Sequence, residues 1–209
     1  MRVLVTGASS LIGRHTVEQL IAHGDEVTAL QRHASGTDAR EVLGAINDRD
    51  AVARACDGQD AVVHLAAKVG VTGPWSEYEH TNVTGTELLV DAARRAGVTS
   101  FVHVSSPSVA HAGTALVGAG AEPADPASTR GHYATSKAIA EQSALAASDD
   151  VMPIVAIRPH LVWGPGDTQL VGRIVERARQ GRLALVGSVT ALIDTTYIDN
   201  TADALVAAI

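Results

Sequence analysis

The sequence predicts an α/β protein, a doubly wound parallel sheet with helices on both faces. Three observations predict it. Apolar runs of strand length alternate with longer helical patterns along the chain, as a parallel sheet with covering helices requires. The first run passes through Thr6-Gly7 directly into a helical pattern. The composition, 46% apolar and 19% charged over 209 residues, is that of an ordinary globular chain, long enough to bury a core without disulfides. Aromatic residues make up only 3%, so Val, Leu, Ile and Ala must build that core.

Taken in order, Arg2–Val5 is a short β-branched strand. Leu11–His23 sets Leu11, Ile12, His15, Val17, Leu20 and Ile21 at mixed three- and four-residue spacings, which fits a helix, and Gly24 stops it. Glu26–Leu30, Asp60–Leu65, Ser100–Val104 and Pro153–Ile157 read as further strands. Asp50–Ala55, Tyr78–Ala96, Tyr133–Ala147 and Gln169–Gln180 read as helices. His111–Arg130 is rich in Gly, Ala, Pro and Ser and lacks periodicity. It reads as a long substrate-facing loop, the competing reading being a surface excursion.

Several function classes fall away. A net charge of −7 with no basic run argues against nucleic acid as the partner. No apolar stretch approaches the roughly 18 residues of a membrane span. Met1–Val5 reaches Thr6-Gly7 too soon for a secretory apolar region of about 7–15 residues, so a cytoplasmic location is expected. Cys56 is the lone cysteine and excludes an internal disulfide framework. No His/Cys/Asp cluster has metal-ligand spacing, and no metal site is expected.

Thr6-Gly7-Ala8-Ser9-Ser10-Leu11-Ile12-Gly13 follows the first strand and opens the first helix. A helix N-terminus carries unpaired N–H groups and partial positive charge, which suit a pyrophosphate. Gly7 and Gly13 fit the first and third positions of a Gly-x-x-Gly-x-x-Gly loop, while Ser10 replaces the middle glycine. Nucleotide binding is the reading favoured over a purely structural turn. Ser10 narrows the approach of a phosphate but offers a hydroxyl in exchange. After the second strand stands Leu30-Gln31-Arg32-His33, with no carboxylate to accept from the ribose of NAD. Arg32 suits a 2′-phosphate by charge and bidentate geometry, which leans toward NADP over NAD. The alternative is a solvated surface charge.

Tyr133 and Lys137 stand at i and i+4, on one face of a helix. A phenol has a pKa near 10, and a neighbouring cation lowers it. Reaching about 7 takes roughly 3 units, or about 4 kcal/mol, for which one Lys and an oxidised nicotinamide are the candidate sources. Phe101-Val102-His103-Val104-Ser105-Ser106 ends a strand, where ligands bind in open α/β sheets. A serine there orients a carbonyl or alcohol by hydrogen bonding; otherwise the pair simply caps the strand. His103 reads as structural.

These motifs, with His64-Leu65-Ala66-Ala67, Asn82-Val83-Thr84-Gly85-Thr86, Arg158-Pro159, Trp163-Gly164-Pro165-Gly166-Asp167 and Tyr197-Ile198-Asp199-Asn200, run in order along essentially the whole chain. Together they resemble the extended short-chain dehydrogenase/reductases, the NAD-dependent epimerase/dehydratase superfamily, and within it the 3β-hydroxysteroid dehydrogenase-like branch. The resemblance implies a Rossmann-type fold and a Ser–Tyr–Lys site. Ser106 would orient the substrate, with Ser105 as runner-up. Tyr133 would exchange the proton, and Lys137 would support it and hold the nicotinamide ribose. The implied cofactor contacts are Gly7, Ser9, Ser10, Leu11, Ile12, Gly13, Gln31, Arg32, Ile46, Leu65, Ala66, Ala67, Tyr133, Lys137 and Pro159. Asn82 looks mostly structural. Pro107-Ser108 stands where sugar-nucleotide dehydratases carry an Asp-Glu pair, so dehydration is disfavoured. Ala45 stands where relatives carry an adenine-contacting Asp.

The implied activity is NAD(P)-dependent interconversion of a secondary alcohol and a ketone on a largely apolar small molecule, sterol-like or β-oxo/β-hydroxy acyl. A sugar-nucleotide epimerase with retained NAD and a non-catalytic dinucleotide-binding module are the alternatives. A homodimer paired through Tyr78–Ala96 and Tyr133–Ala147 is expected. Relatives of this architecture are longer. Residues 1–180 are therefore expected to form the cofactor domain, and 181–209 the start of a C-terminal substrate lobe that is mostly absent.

Overall fold

A computed structural model describes residues 1–209 except 71, 112, 114, 116, 169 and 185–191. The implied start of the last predicted helix, Gln169, and residues 185–191 of the expected lobe at 181–209 lie outside the described residues. Six parallel strands form the main sheet: β1 (Arg2–Thr6), β2 (Glu26–Gln31), β3 (Arg40–Leu43), β4 (Ala61–His64), β5 (Ser100–Val104) and β6 (Ile154–Ile157), in the order β3-β2-β1-β4-β5-β6. The chain order reverses direction between β1 and β4. Ligands bind at that crevice, outside the carboxyl ends of the strands. In register, Thr6 lies beside His64, and His64 beside His103.

Alternation along the strands divides the core. Leu4, Leu30, Val62 and Phe101 face one side with Val52, Leu89 and Ala144. These last three belong to α2 (Arg49–Cys56), α4 (Gly85–Arg95) and α5 (His132–Ala146), α4 being preceded by α3 (Trp75–Tyr78). Val3, Val5, Val63 and Val102 face the other side, against Val17 and Leu20 of α1 (Leu11–Ala22). A further helix, α6 (Val171–Arg179), buries none of its side chains. Leu205 of α7 (Ile198–Ala207) joins the second cluster, and Asp199 meets His15 of α1 at 3.3 Å. Although it falls within the expected 181–209 segment, α7 packs on the core of the cofactor domain.

The spacing missed three strands. β3 is a short edge strand whose Arg-Glu-Val-Leu has no apolar run. The other two, β7 (Val162–Trp163) and β8 (Thr196–Tyr197), pair only with each other and have two residues each. The helix expected over Tyr78–Ala96 is interrupted, since Glu79–Thr84 forms a π-helical turn between α3 and α4. Such turns recur at functional sites, and this one carries Asn82.

Candidate active site

Gly7 has φ +73°, and a Cβ there would stand 2.9 Å from the Ala66 nitrogen. A Cβ on Gly13 would stand 2.4 Å from the Gly7 oxygen. The loop therefore lies against both the β4 end and the start of α1 because these two residues lack side chains. Ser10, in place of the middle glycine, caps α1 with φ −70° and ψ 163°, and its Oγ accepts from the Gly13 N–H at 3.0 Å. Its conformation is an ordinary extended one, so the departure strains nothing, and its own proton is left for an outside acceptor. Ser10 is exposed beside the half-buried Leu11 and Ile12, whose amides open the helix. These features fit a pyrophosphate.

At the end of β2, the Gln31 Oε1 accepts from the Ser9 N–H at 2.9 Å while its Nε2 donates to the His33 oxygen at 2.6 Å. A neutral amide thus stands where an NAD site would have a carboxylate. Arg32 is exposed. Arg14, which the sequence reading overlooked, reaches back to the same loop, its Nε donating to the Ser9 oxygen at 3.2 Å. The overlooked signal was a cation just inside a helix N-terminus, where the helix dipole disfavours positive charge.

A buried chain of hydrogen bonds lies beneath the loop. Thr86 donates to the Asn82 oxygen at 2.6 Å, so its hydroxyl accepts from Nε2 of His64 at 2.9 Å. The Nδ1 of His64 then accepts from Thr6 at 2.7 Å, and the Thr6 oxygen accepts from the Ala66 N–H at 3.1 Å. Each hydroxyl has one proton to give, so these partners set one tautomer. Burial holds the His64 pKa down to about 3, keeping it neutral. Asn82 accepts from the Lys68 N–H at 2.7 Å and donates to the Lys68 oxygen at 3.1 Å and to Ser136 at 2.9 Å. Ser136 in turn donates to the Tyr133 oxygen at 2.8 Å. The ends of β1 and β4 are thereby braced to the first turn of α5.

Leu65, Ala66 and Ala67 follow β4 at this crevice and are only partly buried. Ile46 does not open to it in the same way. It is 8% exposed, and its Cγ2 fills the space a Cβ on Gly85 would need, at 2.7 Å. Pro159 follows β6, half-buried. The neighbouring Arg158 is fixed by Glu141, with Nε donating to Oε2 at 2.9 Å, and by the Glu122 oxygen at 2.7 Å. Glu122 lies in the 111–130 segment, whose described residues form no helix or strand. That segment packs back on α5 through Ala124, which joins Val109 and Ala138.

Ser106, just past β5, lies close enough to Tyr133, in the first turn of α5, to oppose the effect of burial on its phenol. Ser106 also shares a 2.9 Å contact with Ser108. Ser105, by contrast, is 6% exposed and its hydroxyl has no partner among the described residues. The Lys137 ammonium donates to the Val104 oxygen at 2.7 Å and lies 3.4 Å from Nε2 of His103. The expected depression of the Tyr133 pKa is not found. Burial raises it, with Ser106 opposing. The reason is that Lys137 is engaged with β5. Burial lowers Lys137 itself to about 8, with Glu141 opposing. Among the described residues no group of His, Cys, Asp and Glu is arranged to hold a metal, and no helix is long and apolar enough to cross a membrane.

Similarity to known proteins covers the same elements. The chain is 43% identical over 208 residues to the 2-alkyl-3-oxoalkanoate reductase of Stenotrophomonas maltophilia, covering 97% of this chain and 63% of that protein. It is 37% identical over 214 residues to the 3 beta-hydroxysteroid dehydrogenase/Delta 5-->4-isomerase of Mycobacterium tuberculosis, covering 95% of this chain and 57% of that one. The chain therefore spans roughly three fifths of the length of these relatives. Among solved structures, MoeE5 in complex with UDP-glucose and NAD superposes with a TM-score of 0.85 at 31% identity, over 99% of this chain and 71% of that one. A family model for the NAD dependent epimerase/dehydratase family matches residues 3–209. The match runs from the phosphate loop through the β5–α5 hydroxyls to α7, and the chain belongs to that family.

Proposed function

We propose that the protein is an NAD(P)-dependent oxidoreductase that interconverts a secondary alcohol and a ketone on a largely apolar substrate. The observation that carries this reading is that Ser106, just past β5, and Tyr133, in the first turn of α5, lie near each other, at the end of the sheet where β1 delivers the phosphate loop. The names of the reductase and dehydrogenase relatives support the reaction class and the apolar substrate. A homodimer through α4 and α5 belongs to the same reading.

The loop Gly7–Gly13 would hold the pyrophosphate on the α1 amides. Leu65, Ala66, Ala67 and Pro159 would line the cleft, and the bound nicotinamide would carry the hydride. Ser106 orients the substrate oxygen and polarises it by hydrogen bonding. Tyr133 passes its proton to the developing alkoxide in reduction, or takes one from the alcohol in oxidation. Lys137, one turn along α5 from Tyr133, would meet the ribose. For the cofactor, Gln31, Arg32 and Arg14 favour NADP, since an amide and two guanidinium groups accept a 2′-phosphate that a carboxylate would repel.

Stopped-flow oxidation of NADPH with medium-chain β-oxo esters tests the reading. Tyr133→Phe is expected to lower turnover by about a hundredfold or more, with cofactor affinity nearly unchanged. Full turnover in this variant would overturn the assignment. Tightly bound NAD copurifying with the protein, without dependence on added cofactor, would favour a sugar-nucleotide epimerase instead.

A further inference from the structure

The imidazole of His103 is fully buried on β5, and its Nδ1 has no hydrogen-bond partner among the described residues. Its other nitrogen, Nε2, faces the Lys137 ammonium at 3.4 Å. An ammonium can only donate, so Nε2 must accept and the proton must sit on Nδ1. A buried N–H left unpaired costs about 1–3 kcal/mol. A Phe or Leu would fill this apolar layer beside Phe101 without that cost, so packing alone does not account for an imidazole here.

We propose that His103 is a positioning residue for Lys137: as a neutral Nδ1–H imidazole it accepts from the ammonium and, with the Val104 carbonyl, fixes it at the end of β5. The charged and titratable groups around the pair are few. His64 lies beside His103 with ring centroids 5.5 Å apart, and it is held neutral by burial. Glu141, one turn along α5, favours the ammonium but is already paired with Arg158. Among the described residues Tyr133, one turn back on α5, is the remaining titratable group. Among the described residues Lys137 therefore has no carboxylate as a direct hydrogen-bond partner, and its two acceptors there, one carbonyl and one imidazole, are both uncharged. Burial also holds His103 well below the usual imidazole range, which keeps Nε2 free to accept at neutral pH. This inference rests on Lys137 belonging to the cofactor site, but its main test does not.

The chain has two lysines, Lys68 and Lys137, so labelling lysine with carbon-13 at Cε yields two signals, assigned by Lys68→Arg. In the wild type the Lys137 signal is expected to titrate near 8, well below Lys68, which Glu77 raises. His103→Phe is expected to move the Lys137 midpoint down by about one unit or more, because the charged form loses an acceptor. His103→Gln, whose carbonyl can accept, is expected to restore part of the shift. The Lys68 signal reports that each variant is folded. A midpoint unchanged in His103→Phe would overturn the proposal. A second measurement needs no variant: long-range proton–nitrogen correlation spectra of the wild type at neutral pH. A protonated Nδ1 and a bare Nε2 on His103 are expected, and an Nε2–H tautomer would refute the proposal, since it cannot accept from Lys137. If both arms succeed and NADPH affinity is nevertheless indifferent to Lys137→Met, the cofactor-site reading fails and the positioning relationship stands.

Discussion

The Thr6 hydroxyl donates to Nδ1 of His64 across 2.7 Å, although the two residues are 58 positions apart in the chain. This bond ties β1 to β4 directly beneath the phosphate loop, and the same Thr6 oxygen accepts from the Ala66 N–H. Thr6→Val keeps the shape and removes both roles. It should destabilise the protein by about 2–3 kcal/mol, since an imidazole nitrogen and a backbone N–H lose their partners in a buried site. Urea unfolding at neutral pH measures this. A loss below about 0.5 kcal/mol would show that the bond is not stabilising.

Acid should expose the same residue. The folded pKa of His64 lies near 3, below the ordinary value of 6.5. The unfolded chain therefore binds a proton that the folded chain does not. His64's contribution is fully present above about pH 6.5 and is lost as the pH falls, by up to about 1.4 kcal/mol per pH unit. His64→Gln should be less stable at neutral pH but lose less on acidification between about pH 6.5 and pH 4.5. Equal slopes for the two proteins would contradict this.

Lys137 runs the other way in pH. Its folded pKa of about 8 lies below its ordinary 10.5, so burying the ammonium costs stability at neutral pH. That cost is relieved as the pH rises from about 8 to about 10.5. Lys137→Met should raise stability by about 1–3 kcal/mol at pH 7, the lower end reflecting the acceptor lost by Val104, and the gain should vanish near pH 10.5. Paired urea titrations at the two pH values check it, and a gain that does not depend on pH would rule out relief of the buried charge.

Gly7→Ala places a Cβ 2.9 Å from the Ala66 nitrogen on a backbone with φ +73°. The expected cost is about 1–3 kcal/mol of strain, with cofactor affinity reduced at least about tenfold as the loop lifts from β4. Fluorescence titration with NADPH reads the affinity. Wild-type affinity and stability together would show that the close approach is unnecessary.

Cofactor choice should depend on Arg14 and Arg32 jointly. Both contribute positive charge beside Gln31, and Arg14 is anchored on the Ser9 oxygen. The double change Arg14→Gln with Arg32→Gln should weaken NADPH by about tenfold or more and leave NADH within about twofold. Equal losses for both cofactors would mean that the arginines do not recognise the 2′-phosphate.

Much of this molecule was legible in its residues. Alternating strand and helix patterns announced the parallel sheet. The loop from Thr6 to Gly13 announced a helix-opening turn, and Tyr133 and Lys137 fell on one helical face because four residues make roughly one turn. All of these are encoded by neighbours in the chain, so spacing reveals them. Short edge elements such as β3 and β8 escaped because their pairing partners, not their own composition, make them strands.

The tertiary structure decided what distant residues do to one another. Sequence placed Tyr133 near a cation and predicted a lowered pKa, but the fold turned Lys137 to Val104 and His103, leaving burial to raise the phenol. It drew α7 into the core through Leu205 and set the tautomer of His64 between Thr6 and Thr86. The physical reason is the same in each case. Burial, hydrogen-bond partners and the direction of a charged side chain exist only once β1, β4 and β5 lie side by side. Local sequence carries periodicity and turn chemistry, whereas the electrostatics of a site belong to the assembled sheet.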